Sequence, residues 1–244
     1  MRKAVLIVGF GTSYADAEES CILPVERSVA EAFSDREPFR AWTSRIIAKK
    51  LLRTRGVAVE NEEEALSRLH SEGVEDILVV STHLIPGIEY DLVREKAGPQ
   101  PVSRPLLDTE EDLRWMADVL ASIAGEEGRP LLLMGHGTEH SADGTYPRLR
   151  ALLPENVFLA CVEGAHSLEE QLPRLEALDK KELTLMPLML VAGDHARNDL
   201  AGDGDSWKTR LEALGFDVRV RMQGLGALSQ VQQRFADKAR QASL

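Results

Sequence analysis

Residues 4–13 read AVLIVGFGTS, and residues 130–139 read PLLLMGHGTE. Each stretch is a short apolar run followed by glycine, one variable residue, glycine and threonine. A short apolar run that ends at glycine is typical of a buried strand followed by a turn. The second stretch has His136 where the first has Phe10. The similarity of the two stretches predicts two similar halves, with the chemistry specialised in the second half.

Further along the chain, short strand-like runs alternate with longer amphipathic runs that are typical of helices. This alternation predicts parallel strands joined by crossover helices. The fold class is therefore α/β, with two similar lobes, each a parallel sheet of about four strands flanked by helices, and a cleft between the lobes. The predicted strands include residues 4–10, 39–43 and 76–81 in the first half, and 130–135, 157–163, 183–190 and 217–222 in the second.

The segment AGEEGRP, residues 124–130, interrupts the periodicity with glycine and charge, which is typical of a linker. We therefore predict an N-terminal lobe over residues 1–126 and a C-terminal lobe over residues 127–244. For the last predicted helix, residues 228–241, packing back on the first lobe is left open.

Composition excludes several classes of function. The 244 residues carry 29 basic and 40 acidic side chains, a net charge of -11, which disfavours binding to nucleic acid or an anionic membrane. No apolar run is long enough to cross a bilayer. The two cysteines have no CxxC spacing, so a reduced, cytoplasmic location is expected. The first residues superficially imitate a secretory signal, but we interpret them as a strand.

Three side chains follow different strands of the second half: His136, Glu163 and His195. In an open parallel sheet, ligands bind beyond the carboxyl ends of the strands, so these side chains are expected to converge. Two imidazoles and one carboxylate suit a divalent transition metal, and each can also act as a base. The alternative for a single strand-end histidine is a structural role, such as capping a helix.

The other histidines are weaker candidates. His140 lacks the HExxH arrangement of a zinc helix and is interpreted as a rim residue. His83 ends a strand of the first lobe, where a ligand contact and a structural role are equally open. His70 and His166 lie beside helical segments and are interpreted as non-functional.

One stretch of the sequence is basic, although the chain as a whole is acidic. Between residues 40 and 55 there are six cations and no acid: Arg40, Arg45, Lys49, Lys50, Arg53 and Arg55. The stretch predicts either a solvated helix face or a wall that attracts a polycarboxylate. Nucleotide motifs fail, because Tyr14 stands where a third glycine is needed and no Walker sequence occurs, so no nucleotide cofactor is expected.

Six stretches carry a resemblance to a known family: FGTSY (10–14), RAWTSRII (40–47), STHLIPGIEY (81–90), MGHGTEH (134–140), VEG (162–164) and the long LMPLMLVAGDHARNDLAGDGDSWK (185–208). The chain resembles the anaerobic sirohydrochlorin cobaltochelatases of the CbiK type, which are class II chelatases. The resemblance covers the whole chain. It implies a ferrochelatase-like fold whose metal-site histidine, glutamate and histidine fall on His136, Glu163 and His195.

The implied reaction is insertion of Co²⁺ into sirohydrochlorin without ATP, a step toward cobalamin. Co²⁺ is then the substrate metal, with Ni²⁺ or Fe²⁺ as alternatives, and the partners are a tetrapyrrole and a divalent ion, with a homo-oligomer left open. Phe10 and Trp42 are predicted as apolar walls for the ring, and Arg45 as a carboxylate contact. The remaining predicted substrate contacts are Gly11, Thr12, Ser13, His83 and Glu89.

Two other functions compete with the chelatase interpretation. A non-catalytic tetrapyrrole or metal carrier would keep the same three ligands but show no turnover. A histidine phosphatase is suggested by the residues after the strand, but Met134 and Gly135 replace the arginine expected before the histidine.

Overall fold

The structure is a computed structural model that describes residues 2–244. Its internal contacts divide the chain into two compact units. The first unit contains the described residues up to Leu106 together with Gly226–Leu244, and the second unit is Leu107–Leu225. Both units are built from parallel strands and helices, as the alternating pattern predicts.

Within residues 2–244, the first unit carries a three-stranded parallel sheet. Its strands are β1 (Lys3–Gly9), β2 (Glu37–Trp42) and β3 (Asp76–Ser81). The order is β2-β1-β3, and Leu6 of β1 stands beside Phe39 on one side and Val79 on the other. Because β1 is paired on both edges and covered on both faces, residues 4–8 are at most 3% exposed.

The first sheet has three strands where about four were predicted. The segment at residues 97–108 forms only one parallel bridge, between Val79 and Val102. Three prolines, Pro99, Pro101 and Pro105, lie in this segment and cannot donate to a ladder. The fourth strand is therefore reduced to a single bridge.

Helices cover both faces of the first sheet. Ala65, Leu66 and Leu69 of one helix pack with the sheet on one face, and the C-terminal helix packs on the opposite side with contacts to β3. The helices are α1 (Ala15–Ala17), which continues through a π-turn (Glu18–Ile22) into α2 (Leu23–Ala32), α3 (Arg45–Arg55), α4 (Glu62–Ser71), α5 (Ile88–Ala97) and, at the C-terminus, α10 (Ser229–Ala242).

In the same described range, the second unit carries a four-stranded parallel sheet in the order β5-β4-β6-β7. The strands are β4 (Leu131–Gly135), β5 (Val157–Cys161), β6 (Glu182–Pro187) and β7 (Asp217–Val220). The central strand β4 is fully buried, with leucines that are 0% exposed. The order places the ends of β5 and β6 on either side of the end of β4.

The helices of the second unit are shorter, except the first one. They are α6 (Glu110–Glu127), α7 (Thr145–Arg150), α8 (Leu172–Glu176) and α9 (Trp207–Ala213). Short 3-10 turns cover Ser141–Gly144, Leu168–Glu170 and Leu225–Ala227, and a π-turn covers Ala196–Leu200.

The boundary between the units lies at Leu106 and Leu107 rather than at residue 126. Thr109 and Asp112 form a capping box that starts α6, and α6 packs on α7 and β5 of the second unit. The segment 124–130, predicted as a linker, is the last turn of α6 and its end at Gly128. Glycine and charge in that segment end a helix and do not separate the two units.

The C-terminal helix belongs to the first unit. The helix α10 packs along α2, and its side chains Phe235 and Ala239 are both 0% exposed. The predicted C-terminal lobe therefore ends near Leu225. Within residues 2–244, no helix has both the length and the apolar character that a membrane span requires.

Candidate metal site

The carboxyl edge of the second sheet brings the three predicted ligands together. His136 directly follows β4, and Glu163 lies two residues beyond β5. His195 follows β6, in the helical turn that precedes Ala196–Leu200. The ring centroids of His136 and His195 are 4.8 Å apart, and the rings meet edge to face at 88°. Glu163 Oε2 is 3.9 Å from His136 Nδ1. The predicted convergence of strand ends thus occurs within one unit.

The backbones of the His136 and Glu163 loops are hydrogen-bonded beyond the strands. The Val162 amide donates to the Gly135 carbonyl at 3.0 Å, and the Glu163 amide donates to the His136 carbonyl at 2.8 Å. Gly137 has a φ of +82°, and a Cβ at this position would lie 1.9 Å from the Glu163 carbonyl oxygen. Only glycine therefore lets the two loops approach this closely.

Hydrogen bonds assign the same tautomer to both histidines. His136 Nδ1 is 2.8 Å from the Gly137 carbonyl oxygen, and His195 Nδ1 is 2.7 Å from Asp199 Oδ2. A carbonyl or carboxylate oxygen only accepts, so each Nδ1 carries the hydrogen when the ring is neutral. Each Nε2 then keeps its lone pair, which is the form in which imidazole binds a metal.

The three side chains form an open set. Their exposed fractions are 47% for His136, 58% for Glu163 and 34% for His195, so an ion from solvent can reach all of them. Among residues 2–244, no group of three or more His, Cys, Asp or Glu side chains is already arranged to hold a metal ion.

A nearby thiol does not extend the donor set. Cys161 at the end of β5 is buried, and burial raises the pKa of its thiol to about 12. It therefore stays protonated at neutral pH, whereas a metal ligand must be a thiolate. The Tyr146 hydroxyl accepts a hydrogen bond from the Gly137 amide at 3.3 Å and so stabilises the loop that carries His136.

Two further histidines of this unit have structural contacts. His140 Nδ1 accepts from the Ala142 amide at 3.1 Å and caps the turn Ser141–Gly144. His166 Nε2 lies 3.5 Å from Asp143 Oδ2, and the other oxygen of Asp143 accepts from the Thr138 amide. Asp143 therefore links His166 to the loop that carries His136.

Sequence reasoning missed the supporting residues of the site, Asp143, Tyr146 and Asp199. One signal was present for Asp199, because His195 and Asp199 are four residues apart, a spacing that places two side chains on one helix face.

The predicted substrate contacts of the first unit differ in accessibility. Phe10 follows β1 and is 48% exposed, as expected of a side chain that meets a ligand. Trp42 is only 1% exposed, and its ring lies against Gly11, where a Cβ would stand 2.5 Å from the ring. Thr12 is 2% exposed, and its hydroxyl accepts from the Tyr14 amide. Trp42 nevertheless lines the groove beside α3, so its role as an apolar wall stays a prediction.

The basic stretch divides into paired and unpaired cations. Arg40 contacts Glu18 and Glu26 at 2.7 and 2.6 Å, and Arg55 contacts Glu18 at 2.9 Å. In the described part of the chain, no carboxylate lies within ion-pair distance of Arg45, Lys49 or Arg53, which are exposed on α3. Arg45 and Lys49 also line a groove of about 590 Å³ between α3 and residues 58–67. The sixth cation, Lys50, lies over the Tyr14 ring, 5.5 Å from its centroid.

Glu89 is half-buried in the first turn of α5 and interacts electrostatically with Glu62. Burial, and then the charge of Glu89, raise the pKa of Glu62, which is 9% exposed, while Arg45 opposes that shift. Glu89 thus belongs to a charged group that includes the predicted substrate contact Arg45.

His83 lies at the end of the first sheet and is half-buried. Its Nδ1 is 3.0 Å from the hydroxyl oxygen of Ser81, which is 0% exposed. Either atom can be the donor in this contact, depending on the tautomer of His83. The Nε2 atom is buried and has no hydrogen-bond partner among the described residues. A polar atom of a ligand would satisfy this nitrogen.

Burial lowers the pKa of His83 from its ordinary value of 6.5 to about 4. The unfolded chain therefore binds more protons than the folded chain between these values, so stability is complete above pH 6.5 and falls as the pH drops toward 4. We expect the wild type to lose about 2 kcal/mol more than His83→Gln between about pH 7.5 and about pH 5. Urea unfolding of both proteins at the two pH values measures this difference. Equal losses in the two proteins would show that His83 charges freely in the folded state.

Comparison with known proteins gives a consistent result. Residues 3–244 match the family model described as cobalt chelatase (CbiK). The chain is 36% identical to the sirohydrochlorin cobaltochelatase of Salmonella typhimurium over 257 aligned positions, covering 99% of this chain and 97% of that protein. It is 34% identical to the sirohydrochlorin cobaltochelatase CbiKC of Nitratidesulfovibrio vulgaris over 230 positions, covering 88% and 81%.

A solved structure supports the fold. SirB from Bacillus subtilis with Fe³⁺ aligns with a TM-score of 0.64 at 16% identity, covering 99% of this chain and 96% of that chain. At this level of identity the likeness concerns the fold alone.

Proposed function

The chain belongs to the cobalt chelatase (CbiK) family, and on that premise we propose that it inserts Co²⁺ into sirohydrochlorin at a site made by His136, Glu163 and His195. The observation that carries this assignment is the meeting of the His136 and His195 rings, 4.8 Å apart, each with Nδ1 engaged in a hydrogen bond. The reaction supplies a cobalt tetrapyrrole for anaerobic cobalamin synthesis.

The reaction exchanges one divalent cation for two protons. Co²⁺ must lose water ligands, the two pyrrole N–H groups of the ring must lose their protons, and the four ring nitrogens must present lone pairs to the ion. The overall charge is conserved, so the reaction needs no redox partner. What the protein must supply is a place to hold the partly dehydrated ion near the ring, and bases near the pyrrole protons.

His136 and His195 meet the first requirement. Two neutral imidazoles bind first-row divalent ions, and each can replace one water ligand before the tetrapyrrole does so. Glu163 adds a negative charge that offsets the charge of the incoming ion. Because all three side chains are partly exposed, the ion remains accessible for transfer to the ring. The Nε2 lone pairs and the Glu163 carboxylate are also the bases that this site offers.

We place the tetrapyrrole contacts on the first unit. Phe10 offers an exposed ring, Gly11 and Ser13 offer backbone at the end of β1, and His83 offers a buried ring nitrogen without a partner among the described residues. Arg45 and Glu89 offer charged groups. Thr12 and Trp42 are buried, and we give them the role of holding residues 10–13 in place.

The unpaired cations of α3 are proposed to attract the carboxylates of the substrate. Sirohydrochlorin carries eight carboxylates, which a chain of net charge -11 would otherwise repel. We expect the triple variant Arg45→Glu, Lys49→Glu, Arg53→Glu to raise the KM for sirohydrochlorin about tenfold at low ionic strength. The increase should shrink as salt is added, since exposed charges are screened over about 8 Å at 0.15 M. Steady-state kinetics at several salt concentrations measure both effects.

The matched control changes net charge equally but away from α3. Arg27, Arg114 and Lys180 are exposed, and their replacement by glutamate should leave the KM and its salt dependence close to the wild-type values. If the α3 variant and the control behave alike, only bulk charge matters and α3 has no local role.

The proposed function is tested by incubating purified protein with sirohydrochlorin and Co²⁺, Ni²⁺ or Fe²⁺ in separate reactions, and following the absorption spectrum of the tetrapyrrole. Catalysed appearance of cobalt sirohydrochlorin above the rate without protein is expected. Turnover with Ni²⁺ or Fe²⁺ but not Co²⁺ would make the chain a chelatase for another ion. Stoichiometric binding without turnover would make it a carrier.

A further inference from the structure

The two candidate histidine ligands are oriented by different kinds of partner. His136 Nδ1 is 2.8 Å from a backbone carbonyl, that of Gly137. His195 Nδ1 is instead 2.7 Å from a side-chain carboxylate, Oδ2 of Asp199. The His195 contact therefore depends on one replaceable side chain.

The backbone fixes the position of Asp199 relative to His195. His195 immediately precedes the π-turn Ala196–Leu200, and Asp199 lies within that turn. Ala196 and Leu200 are both 0% exposed, so the turn is anchored by buried side chains at its two ends. π-turns inside helices occur frequently at functional sites. Here the turn presents a carboxylate to the ring nitrogen that faces away from the open lone pair.

We propose that Asp199 is a positioning residue for metal binding: by accepting the Nδ1–H hydrogen of His195 it fixes the ring orientation and directs the Nε2 lone pair toward the ion. This inference rests on the proposed function, because it takes His195 to be a metal ligand. Without an oriented acceptor, the neutral ring divides between two tautomers and two flipped orientations, and only one of the four combinations directs an Nε2 lone pair toward the ion. Carboxylates that hold metal-binding histidines in this way change metal affinity by about 10 to 100-fold when they are replaced.

The acids that follow in the chain lack this contact. Asp203 is exposed and lies four residues beyond Asp199, and neither a hydrogen bond nor an ion pair of its side chain is found in the described part of the chain. Asp203→Asn and Asp199→Asn each remove one negative charge with little change in shape. The pair therefore separates the hydrogen bond to His195 from a general effect of charge near the site.

The first test is calorimetric titration of the purified protein with Co²⁺ alone. We expect Asp199→Asn to weaken Co²⁺ binding about 10 to 100-fold, because the amide can donate to Nδ1 and so favours the tautomer with hydrogen on Nε2. Asp203→Asn should stay within about twofold of the wild type, as expected of an exposed charge. In the insertion assay, Asp199→Asn should raise the KM for Co²⁺ more than it lowers kcat. A loss in Asp199→Asn of less than twofold, or an equal loss in both variants, would overturn the proposal.

The second test requires neither metal nor turnover. Long-range ¹H–¹⁵N spectra of the imidazole rings, recorded where His195 is neutral, report which nitrogen carries the hydrogen. We expect Nδ1–H for His195 in the wild type and a shift toward Nε2–H in Asp199→Asn. Nε2–H in the wild type would overturn the proposal even if the protein inserts cobalt. Conversely, a wild type that shows Nδ1–H but binds no Co²⁺ would overturn the metal role of His195, and the role of Asp199 with it.

Discussion

His136→Ala and His195→Ala are each expected to fold and to lose cobalt insertion by about a thousandfold or more, a loss in kcat/KM that corresponds to about 4 kcal/mol. Each variant removes one of the two nitrogen donors that hold the ion. Both side chains are partly exposed, at 47% and 34%, so their removal opens no large void in the core. Circular dichroism and thermal unfolding check the fold, and the insertion assay measures the loss.

A matched histidine outside the site provides the control. His70 is exposed on α4 of the first unit, and His70→Ala should insert cobalt at close to the wild-type rate. Near wild-type turnover of either site variant at saturating Co²⁺ would remove that histidine from the metal site.

Gly137→Ala is expected to have a large effect without removing any metal ligand. The added methyl group would stand 1.9 Å from the Glu163 carbonyl oxygen, and the φ of +82° is strained for any residue with a Cβ. Because the obstacle is backbone, the loops carrying His136 and Glu163 must separate. We expect a loss of about 3 kcal/mol or more in the free energy of unfolding, and near-complete loss of insertion in the protein that remains folded.

Gly144 offers the same substitution a few residues away without the same constraint. It has a φ of -58°, and a Cβ there meets no atom within 4 Å. Gly144→Ala should therefore be neutral or slightly stabilising in chemical denaturation, and should retain insertion activity. If Gly137→Ala matched it in both measurements, the close approach of the two loops would not be needed for the site.

The features that follow from local chemistry were predictable from the sequence. The buried run of β4 and the glycines on either side of His136 predict a strand end with an accessible imidazole. Parallel strands place their carboxyl ends at one edge, so the sequence alone predicts His136, Glu163 and His195 at the same edge of the sheet. The order β5-β4-β6 then brings the three strand ends next to one another.

The features that depend on packing were not predictable in the same way. Glycine and charge at residues 124–130 end a helix as readily as they form a linker, and only the packing of α6 on α7 and β5 decides between the two. Trp42 carries no sequence sign that its ring packs against Gly11. Arg40 and Arg55 belong to the basic stretch, but Glu18, far away in the sequence, pairs with both of them.

We propose that one Co²⁺ ion is held by His136, Glu163 and His195. It is tested most directly by crystals of the protein grown with Co²⁺ and measured on both sides of the cobalt absorption edge. We predict an anomalous difference peak about 2.0 to 2.2 Å from the Nε2 atoms of His136 and His195 and from a carboxylate oxygen of Glu163. A cobalt peak elsewhere in the chain, with none beside these two histidines, would contradict the account.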